Sequence, residues 1–180
     1  PLFLSPELNT LPPVLSVGGA LKDSVCLTKA NRAFLSQHIG DMENLETLEF
    51  FNLTVSHLKR ILEIQPEVIA HDLHPDYLSS KFARRQSEAP TLAIQHHHAH
   101  GVGCMAEHGL KDPVIGVVLD GTGLGSDGQI WGGEILLCDL TSFERRAHLS
   151  YVPLPGGDAA ALFPWRMAMA YLYDVFGDDC

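Results

Sequence analysis

Residues 114–140 read VIGVVLDGTGLGSDGQIWGGEILLCDL and carry the clearest indication of how this chain folds. The apolar run VIGVVL predicts a strand, the glycines after it predict a turn, and the apolar residues beyond predict a second strand. FERRAHLSYVPL can supply a third strand before a helix predicted over residues 159–176. The segment therefore predicts a β-β-β-α unit that starts near Lys111.

The same pattern opens the chain. LPPVLSVGGALKDSVCLTK, residues 11–29, predicts two short strands about a Gly-Gly turn, and RAFLSQHIG can add a third. Apolar residues spaced near 3.6 then predict a long amphipathic helix over residues 44–64. The elements predicted next are a strand in EVIAHDLHP, a helix over residues 76–86, a strand in TLAIQ and a helix over residues 97–108.

These patterns predict an α/β fold built by internal duplication. Residues 1–110 form a first unit with the order β-β-β-α-β-α-β-α, and residues 111–180 form a second, incomplete β-β-β-α unit. Because strands alternate with helices, we expect a largely parallel sheet, with ligands gathered at the carboxyl ends of its strands.

Charge and composition narrow the classes of function. The 180 residues carry 12 Lys and Arg against 22 Asp and Glu, a formal charge of −10, which argues against a broad contact with nucleic acid. No apolar run is long enough to predict a membrane span, and no basic and apolar leader opens the chain.

The cysteines, at 26, 104, 138 and 180, form no CxxC pair and are interpreted as free thiols of a cytoplasmic protein. We expect Cys104 to be a buried structural thiol. A start at Pro1 and an end soon after a helix suggest an excised segment of a longer protein.

The segment QHHHAH, residues 95–100, is the first candidate site. His96 and His100 are one helical turn apart, so both imidazoles can point the same way and bind one metal ion. A histidine cluster that only caps the start of the helix, or contacts water, explains this pattern equally well.

Two glycine-bearing turns are the other candidates. Asp120 ends an apolar strand, and Gly121, Thr122 and Gly123 follow it, so a carboxylate could complete a metal site while backbone N–H groups approach a phosphate. A plain hairpin with an Asp-Gly turn is the alternative. Gly156, Gly157 and Asp158 precede the last predicted helix, where free N–H groups can attract an anion. By itself, this pattern favours a capped helix after a tight turn.

HDLHPDY, residues 71–77, places two histidines and two acids at the end of a strand. It departs from the HxHxDH pattern of metallohydrolases. We therefore predict local hydrogen bonding or a substrate contact here, and not a second metal ion.

Five segments in this order resemble the HypF carbamoyltransferases, the hydrogenase maturation factors. They are VLSVGGALKDSVCLTK, HDLHPDYLSS, QHHHAH, LDGTGLGSDGQIWGGE and VPLPGGDAAA, and the likeness runs over essentially the whole chain. It implies a TsaD-like domain of the actin-like superfamily, which is built from duplicated β-β-β-α-β-α units with the second unit truncated here. In that fold, LDGTG takes the place of the phosphate-binding hairpin of the second unit.

The resemblance also implies a reaction. Carbamoyl phosphate and ATP become carbamoyl adenylate in another domain of the protein, and the carbamoyl group then passes to the C-terminal cysteine of the partner HypE. The implied metal ligands are His96, His100 and Asp120, with iron, zinc or magnesium as the ion. Gly156, Gly157 and Asp158 are implied to lie near the nucleotide. Lys22 is our candidate for a positive group near the carbamoyl or phosphate, against the alternative of a solvated turn lysine.

The resemblance implies that the other domains of such a protein and the end of the second unit lie outside these 180 residues. We therefore expect weak metal and nucleotide binding and little or no turnover by this piece alone. Two other functions remain open: a metal-dependent hydrolase or kinase-like ATPase that uses the same histidines, and a docking module without catalysis.

Overall fold

The structure is a computed structural model that describes residues 1–4 and 6–179. Its strands are β1 (Leu2–Phe3), β2 (Val14–Val17), β3 (Val25–Lys29), β4 (Arg32–Leu35), β5 (Val68–Asp72), β6 (Thr91–Ile94), β7 (Val114–Val118), β8 (Gly123–Leu124), β9 (Ile130–Trp131), β10 (Glu134–Cys138) and β11 (Phe143–His148). Its helices are α1 (Leu45–Leu62), α2 (Leu78–Arg85), α3 (His96–Glu107), α4 (Ala159–Leu162) and α5 (Trp165–Phe176), with 3₁₀ turns at Pro6–Thr10 and Gly177–Asp179.

The first sheet has the strand order β1-β4-β3-β2-β5-β6. Strands β2, β3 and β4 pair antiparallel, whereas β5 runs parallel to both β2 and β6. The carboxyl ends of β5 and β6 therefore lie side by side at one edge of the sheet. Asp72 ends β5, and the chain enters α3 directly after β6, so this edge brings the two segments together.

The second sheet has the order β11-β10-β7 and is antiparallel throughout. Its three strands repeat the pairing of β2, β3 and β4, with β7 in the place of β2. This repeat supports the predicted duplication and the α/β fold. The glycine-rich turn between β7 and β10 contains a small hairpin of its own, formed by β8 and β9.

Two apolar clusters stabilise the two sheets. The first lies between the first sheet and helices α1 and α2, and includes Leu15, Val25 and Phe51. The second joins Met105 of α3 to Trp131 and Leu136. Helix α3, which carries the clustered histidines, thus packs against the second sheet although it precedes that sheet in the chain. The predicted division between residues 110 and 111 stays a prediction.

The expected largely parallel sheet is wrong, because among the described strands only the β2–β5 and β5–β6 pairings are parallel and the other strand pairings are antiparallel. The structure also corrects several predicted boundaries. The helix predicted over residues 159–176 is broken into α4 and α5, because Pro164 disfavours a helical conformation at Phe163, which has φ −124° and ψ 82°. Strand β1, which pairs with β4, was not predicted. In the described part of the chain, no helix combines the length and the apolar character that a membrane span requires.

Candidate metal centre

The two candidate histidine ligands occupy the first turns of α3. Gln95 caps this helix, since its side-chain oxygen accepts a hydrogen bond from the backbone N–H of His98 at 2.8 Å. His96 and His100 follow on one face, with ring centroids 4.9 Å apart and Nε2 atoms separated by 3.3 Å. The helix therefore aims both Nε2 atoms at one point.

Asp120 reaches the same point from the second half of the chain. It lies in the loop after β7, two residues beyond the strand end, and its Oδ2 is 2.8 Å from His96 Nε2 and 3.5 Å from His100 Nε2. Nitrogen and oxygen ligands lie about 2.1 Å from a divalent ion, so neighbouring ligand atoms are about 3.0 Å apart at right angles and about 3.4 Å apart in a tetrahedron. The three observed separations suit one shared ion.

The hydrogen bonding of Asp120 supports this assignment. Its Oδ2 is buried and has no hydrogen bond of acceptable geometry to any described residue, although His96 Nε2 is only 2.8 Å away. Buried carboxylate oxygens are normally satisfied, so one without a partner needs an explanation. A cation shared by the three side chains would satisfy it. The chain thus fits a divalent metal ion at His96, His100 and Asp120.

Asp72 completes the surroundings of His96. The local hydrogen bonding predicted for its segment, HDLHPDY, is present, since His74 N–H donates to Asp72 Oδ1 and Asp76 N–H donates to His74 Nδ1, but the contact with His96 was not predicted. Asp72 Oδ2 accepts a hydrogen bond from His96 Nδ1 at 2.5 Å, and the Asp72 side chain is 5% exposed. This hydrogen bond raises the pKa of His96 above its usual value; burial opposes the change and the carboxylate of Asp120 adds to it. The signal that could have revealed the contact is topological, because Asp72 and His96 follow adjacent parallel strands.

The other residues of QHHHAH hold α3 to the second half of the chain. The Gln95 side-chain nitrogen donates to the carbonyl of Leu124 at 3.2 Å, and His98 Nε2 donates to the carbonyl of Asp139 at 2.9 Å. His97 is fully buried with its ring edge against Trp131, and burial lowers its pKa. Of the clustered imidazoles, two face the metal point and two fasten the helix that carries them.

The predicted nucleotide-contact residues after Asp120 have different surroundings. Gly121 and Thr122 are exposed. A methyl group added at Gly121 would meet no described atom within 4 Å, whereas one added at Gly123 would lie 2.7 Å from His97 Cε1. Gly123 is therefore required for the close approach of β8 to α3, whatever its role toward a ligand.

Lys22 lies on the exposed loop between β2 and β3. Its backbone is in the left-handed region with φ 53°, and its N–H donates to Asp41 Oδ1 at 2.8 Å. The same loop approaches the metal centre through Gly19, where an added methyl group would lie 3.6 Å from His96 Cε1. The structure thus places the loop that carries Lys22 beside the site. The lysine side chain itself has no defined contact there among the described residues.

The loop of Gly156, Gly157 and Asp158 differs from a simple capped helix. Both glycines have positive φ, 83° and 58°, and Asp158 precedes α4 without a capping hydrogen bond from its side chain among the described residues. The predicted cap is therefore wrong, and the four-residue α4 has little dipole to offer an anion.

Tyr77, the last residue of HDLHPDY, lies beside the metal centre, because a methyl group added at Gly19 would lie 4.0 Å from both Tyr77 Cε2 and Asp72 Oδ2. Burial raises the pKa of its hydroxyl, and the carboxylates of Asp72, Asp120 and Asp158 raise it further. The phenol therefore lies within electrostatic reach of three acids from separate segments. Its ring stacks on His74 with centroids 4.2 Å apart.

The cysteines take no part in the site as described. Cys26, Cys104 and Cys138 are free thiols, in agreement with the sequence, and Cys180 lies outside the described residues. Cys104 is exposed, so the expected burial of this thiol is wrong.

Comparison with known proteins gives consistent matches. A family model described as the HypF Kae1-like domain matches residues 9–107, and one described as the second subdomain of the carbamoyltransferase Kae1-like domain matches residues 116–179. The carbamoyltransferase HypF2 of Cupriavidus necator is 53% identical over 165 residues, which are 90% of this chain and 20% of that protein. The carbamoyltransferase HypF of Synechocystis is 41% identical over 191 residues, 99% of this chain and 25% of that protein.

Solved structures agree with the sequence matches. A full-length HypF in the phosphate- and nucleotide-bound form superposes with a TM-score of 0.91 at 44% identity, over 97% of this chain and 23% of that chain. HypF of T. kodakarensis superposes with a TM-score of 0.88 at 38% identity, over 98% of this chain and 23% of that chain. YeaZ from Pseudomonas aeruginosa, at 14% identity and a TM-score of 0.51, shares the fold alone. The chain spans a fifth to a quarter of the length of these HypF relatives.

Proposed function

Since this chain belongs to the HypF carbamoyltransferase family, we propose that it forms the metal-containing part of a carbamoyl-transfer site in a larger protein. The observation that carries the proposal is the convergence of His96, His100 and Asp120 on one point. Two nitrogen ligands and one carboxylate leave coordination positions open, as a centre that handles a substrate requires.

The donor set narrows the choice of ion. Imidazole suits iron and zinc, whereas magnesium prefers oxygen ligands and keeps much of its water. We therefore place Fe²⁺ or Zn²⁺ ahead of Mg²⁺. A bound ion would act as a Lewis acid on a carbamoyl or phosphate oxygen.

The proposed reaction follows from the family. Carbamoyl adenylate, made from carbamoyl phosphate and ATP by another domain, presents its carbonyl carbon to a cysteine thiolate at the C-terminus of the partner HypE. The sulfur–carbon bond forms, the bond from the carbamoyl carbon to the phosphate oxygen breaks, and AMP leaves with the electron pair. The acceptor supplies the nucleophile, so this chain has only to bind and orient the two reactants.

Three loops border the space where the adenylate would lie. Backbone N–H groups of Gly121, Thr122 and Gly123 are proposed to face its phosphate. The loop of Gly156, Gly157 and Asp158 is proposed to lie near its nucleoside. Lys22 is proposed to supply a positive charge near the carbamoyl or phosphate group.

The surrounding protein is part of the proposal. The relatives are four to five times as long as this chain, so we propose that it works with the remaining HypF domains and turns over little by itself. A cytoplasmic location is proposed because its thiols suit a reducing compartment.

The decisive experiment uses the full-length protein. The double variant His96→Ala with His100→Ala is compared with His38→Ala with His57→Ala, which removes two exposed histidines elsewhere. Bound metal is measured by elemental analysis, and carbamoyl transfer is measured on a HypE-type peptide that ends in cysteine. We expect the first variant to lose both metal and transfer while the control keeps them.

The other functions correspond to different outcomes. Phosphate release that is unaffected by the thiol peptide would indicate a metal-dependent hydrolase or a kinase-like ATPase. Undiminished transfer in the metal-free double variant would mean that the chain acts as a docking module, and would refute the proposal.

A further inference from the structure

We propose that Asp72 is a positioning residue that sets the tautomer and the orientation of His96, and thereby the metal affinity of the centre. The inference rests on the proposed metal site. It concerns a residue that does not itself reach the metal point, since the side chains that share that point are His96, His100 and Asp120.

The geometry of His96 leaves one arrangement of its protons suited to a metal. Its Nδ1 is 2.5 Å from Asp72 Oδ2, while its Nε2 faces Asp120 at 2.8 Å. A neutral imidazole carries one N–H, and the nitrogen that lacks it can bind a metal. A carboxylate only accepts, so Asp72 holds the proton on Nδ1 and leaves the lone pair of Nε2 aimed at the metal point.

Asp72 can orient His96 because it is itself held in place. Its Oδ1 accepts the backbone N–H of His74 at 2.8 Å, and its backbone carbonyl accepts the hydroxyl of Ser80 at 3.1 Å. The Asp72 side chain is 5% exposed. A buried carboxylate that is held at Oδ1 and through its own backbone transmits its position to the histidine, which a mobile surface acid would not do.

The two histidines therefore have different roles. The His96 side chain is 23% exposed and fastened at Nδ1, whereas that of His100 is 56% exposed. Among the described residues, His100 has contacts only at its Nε2, with His96 and Asp120, apart from its ring contact with His96. His96 is therefore the more firmly held of the two candidate ligands.

Asp72→Asn separates this role from simple packing. The N–H of His74 faces Oδ1, so the asparagine oxygen is expected there and its NH₂ group then faces His96 Nδ1. An NH₂ group donates, which moves the histidine proton to Nε2 and blocks the metal-binding nitrogen. The shape-preserving Asn should therefore impair metal binding at least as much as Ala, whereas a packing role predicts that Ala is worse.

The matched control is Asp76→Asn in the same loop, because Asp76 is exposed and pairs only with Lys81 at 3.2 Å among the described residues. Full-length protein is stripped of metal and titrated with Zn²⁺ against a chelator, and the visible spectrum of bound Co²⁺ reports the ligand set. Loss of a residue that orients a metal ligand typically weakens binding 10- to 100-fold. We expect a loss in that range and a changed Co²⁺ spectrum for Asp72→Asn, with Asp76→Asn like the wild type.

Each other outcome overturns a stated part of the argument. A Zn²⁺ affinity of Asp72→Asn within about threefold of the control, or a larger loss in Asp72→Ala than in Asp72→Asn, would overturn the role of Asp72. If Asp72→Asn does not fold, Asp72→Ala carries the test, and binding like that of the control overturns the inference. Wild-type protein that binds no metal would instead overturn the proposed function.

Discussion

A methyl group added at Gly123 tests whether the approach of β8 to α3 builds the metal centre. In Gly123→Ala the new carbon would lie 2.7 Å from His97 Cε1 and 3.1 Å from His96 Cδ2. The first distance is about 0.7 Å short of an ordinary carbon–carbon contact. His97 is fully buried and cannot move aside. The strand and the helix must therefore separate.

The separation should lower both the stability of this region and its affinity for Zn²⁺. Overpacking of a buried site costs about 1–3 kcal/mol. The hydrogen-exchange protection factors of amides that exchange through opening of this region should therefore fall about 5- to 150-fold. Asp120, three residues before Gly123, would move with the strand. A metal ligand tolerates a displacement of only about 0.2 Å, so we expect Zn²⁺ affinity to fall at least about tenfold.

The assay uses full-length protein and a matched control. Gly121→Ala adds the same methyl group two residues away, where it meets no described atom within 4 Å. Hydrogen exchange of peptides covering residues 96–138 and Zn²⁺ competition with a chelator are measured for both variants. Equal protection and equal affinity in the two variants would refute the reasoning that links this contact to the centre.

Three further changes test other contacts. Gln95→Ala removes both the helix cap and the bond to the Leu124 carbonyl, so α3 should lose about 0.5–2 kcal/mol, seen as faster exchange of its amides, and Zn²⁺ affinity should fall. Arg145→Met leaves the Glu134 carboxylate, 2% exposed, without its ion pair and should cost about 3–5 kcal/mol in the protection of β10. Adding Glu134→Gln should restore most of that protection, and failure to do so would contradict a charge effect. Burial raises the pKa of Asp23 to about 7, so the folded state binds its proton more tightly than the unfolded state, and the free energy of unfolding should decline as pH rises from about 4 to about 7. In Asp23→Asn this contribution is absent, so the free energy of unfolding, measured by thermal unfolding across this pH range, should decline less than in the wild type. An unchanged decline would show that the carboxyl of Asp23 does not titrate as described.

Local patterns were sufficient for much of the fold. The 3.6-residue spacing that predicts a helix over residues 44–64 corresponds to α1, with Asn44 as its cap. The repeated order of apolar runs and glycine turns predicted a duplicated unit, and the two sheets do share the antiparallel pairing of three strands, although a largely parallel sheet was expected. Boundaries failed where one residue overrode a longer pattern, as Pro164 did when it divided the last helix.

Some residues of the candidate site could likewise be predicted from local spacing, and others could not. The spacing of His96 and His100 is a property of a single helix, so the sequence predicted that they share a face. Asp120 was a candidate third ligand because it ends an apolar strand before a glycine-rich turn, and the family resemblance implied the same ligand. The structure brings its carboxylate to 2.8 Å from His96. Asp72 escaped notice because its partner is 24 residues away and no local period connects them.

By itself, the sequence determined which segments become strands and helices and which two imidazoles point the same way, because these depend on periods of a few residues. Only the tertiary structure decided that Asp72 contacts His96, that Gly123 and not Gly121 must lack a side chain, and that Gln95, His97 and His98 fasten α3 to the second half of the chain. Those outcomes depend on the packing of segments that are distant in the chain. They are decided by differences of a few tenths of an ångström in contact distances, which a local sequence pattern does not encode.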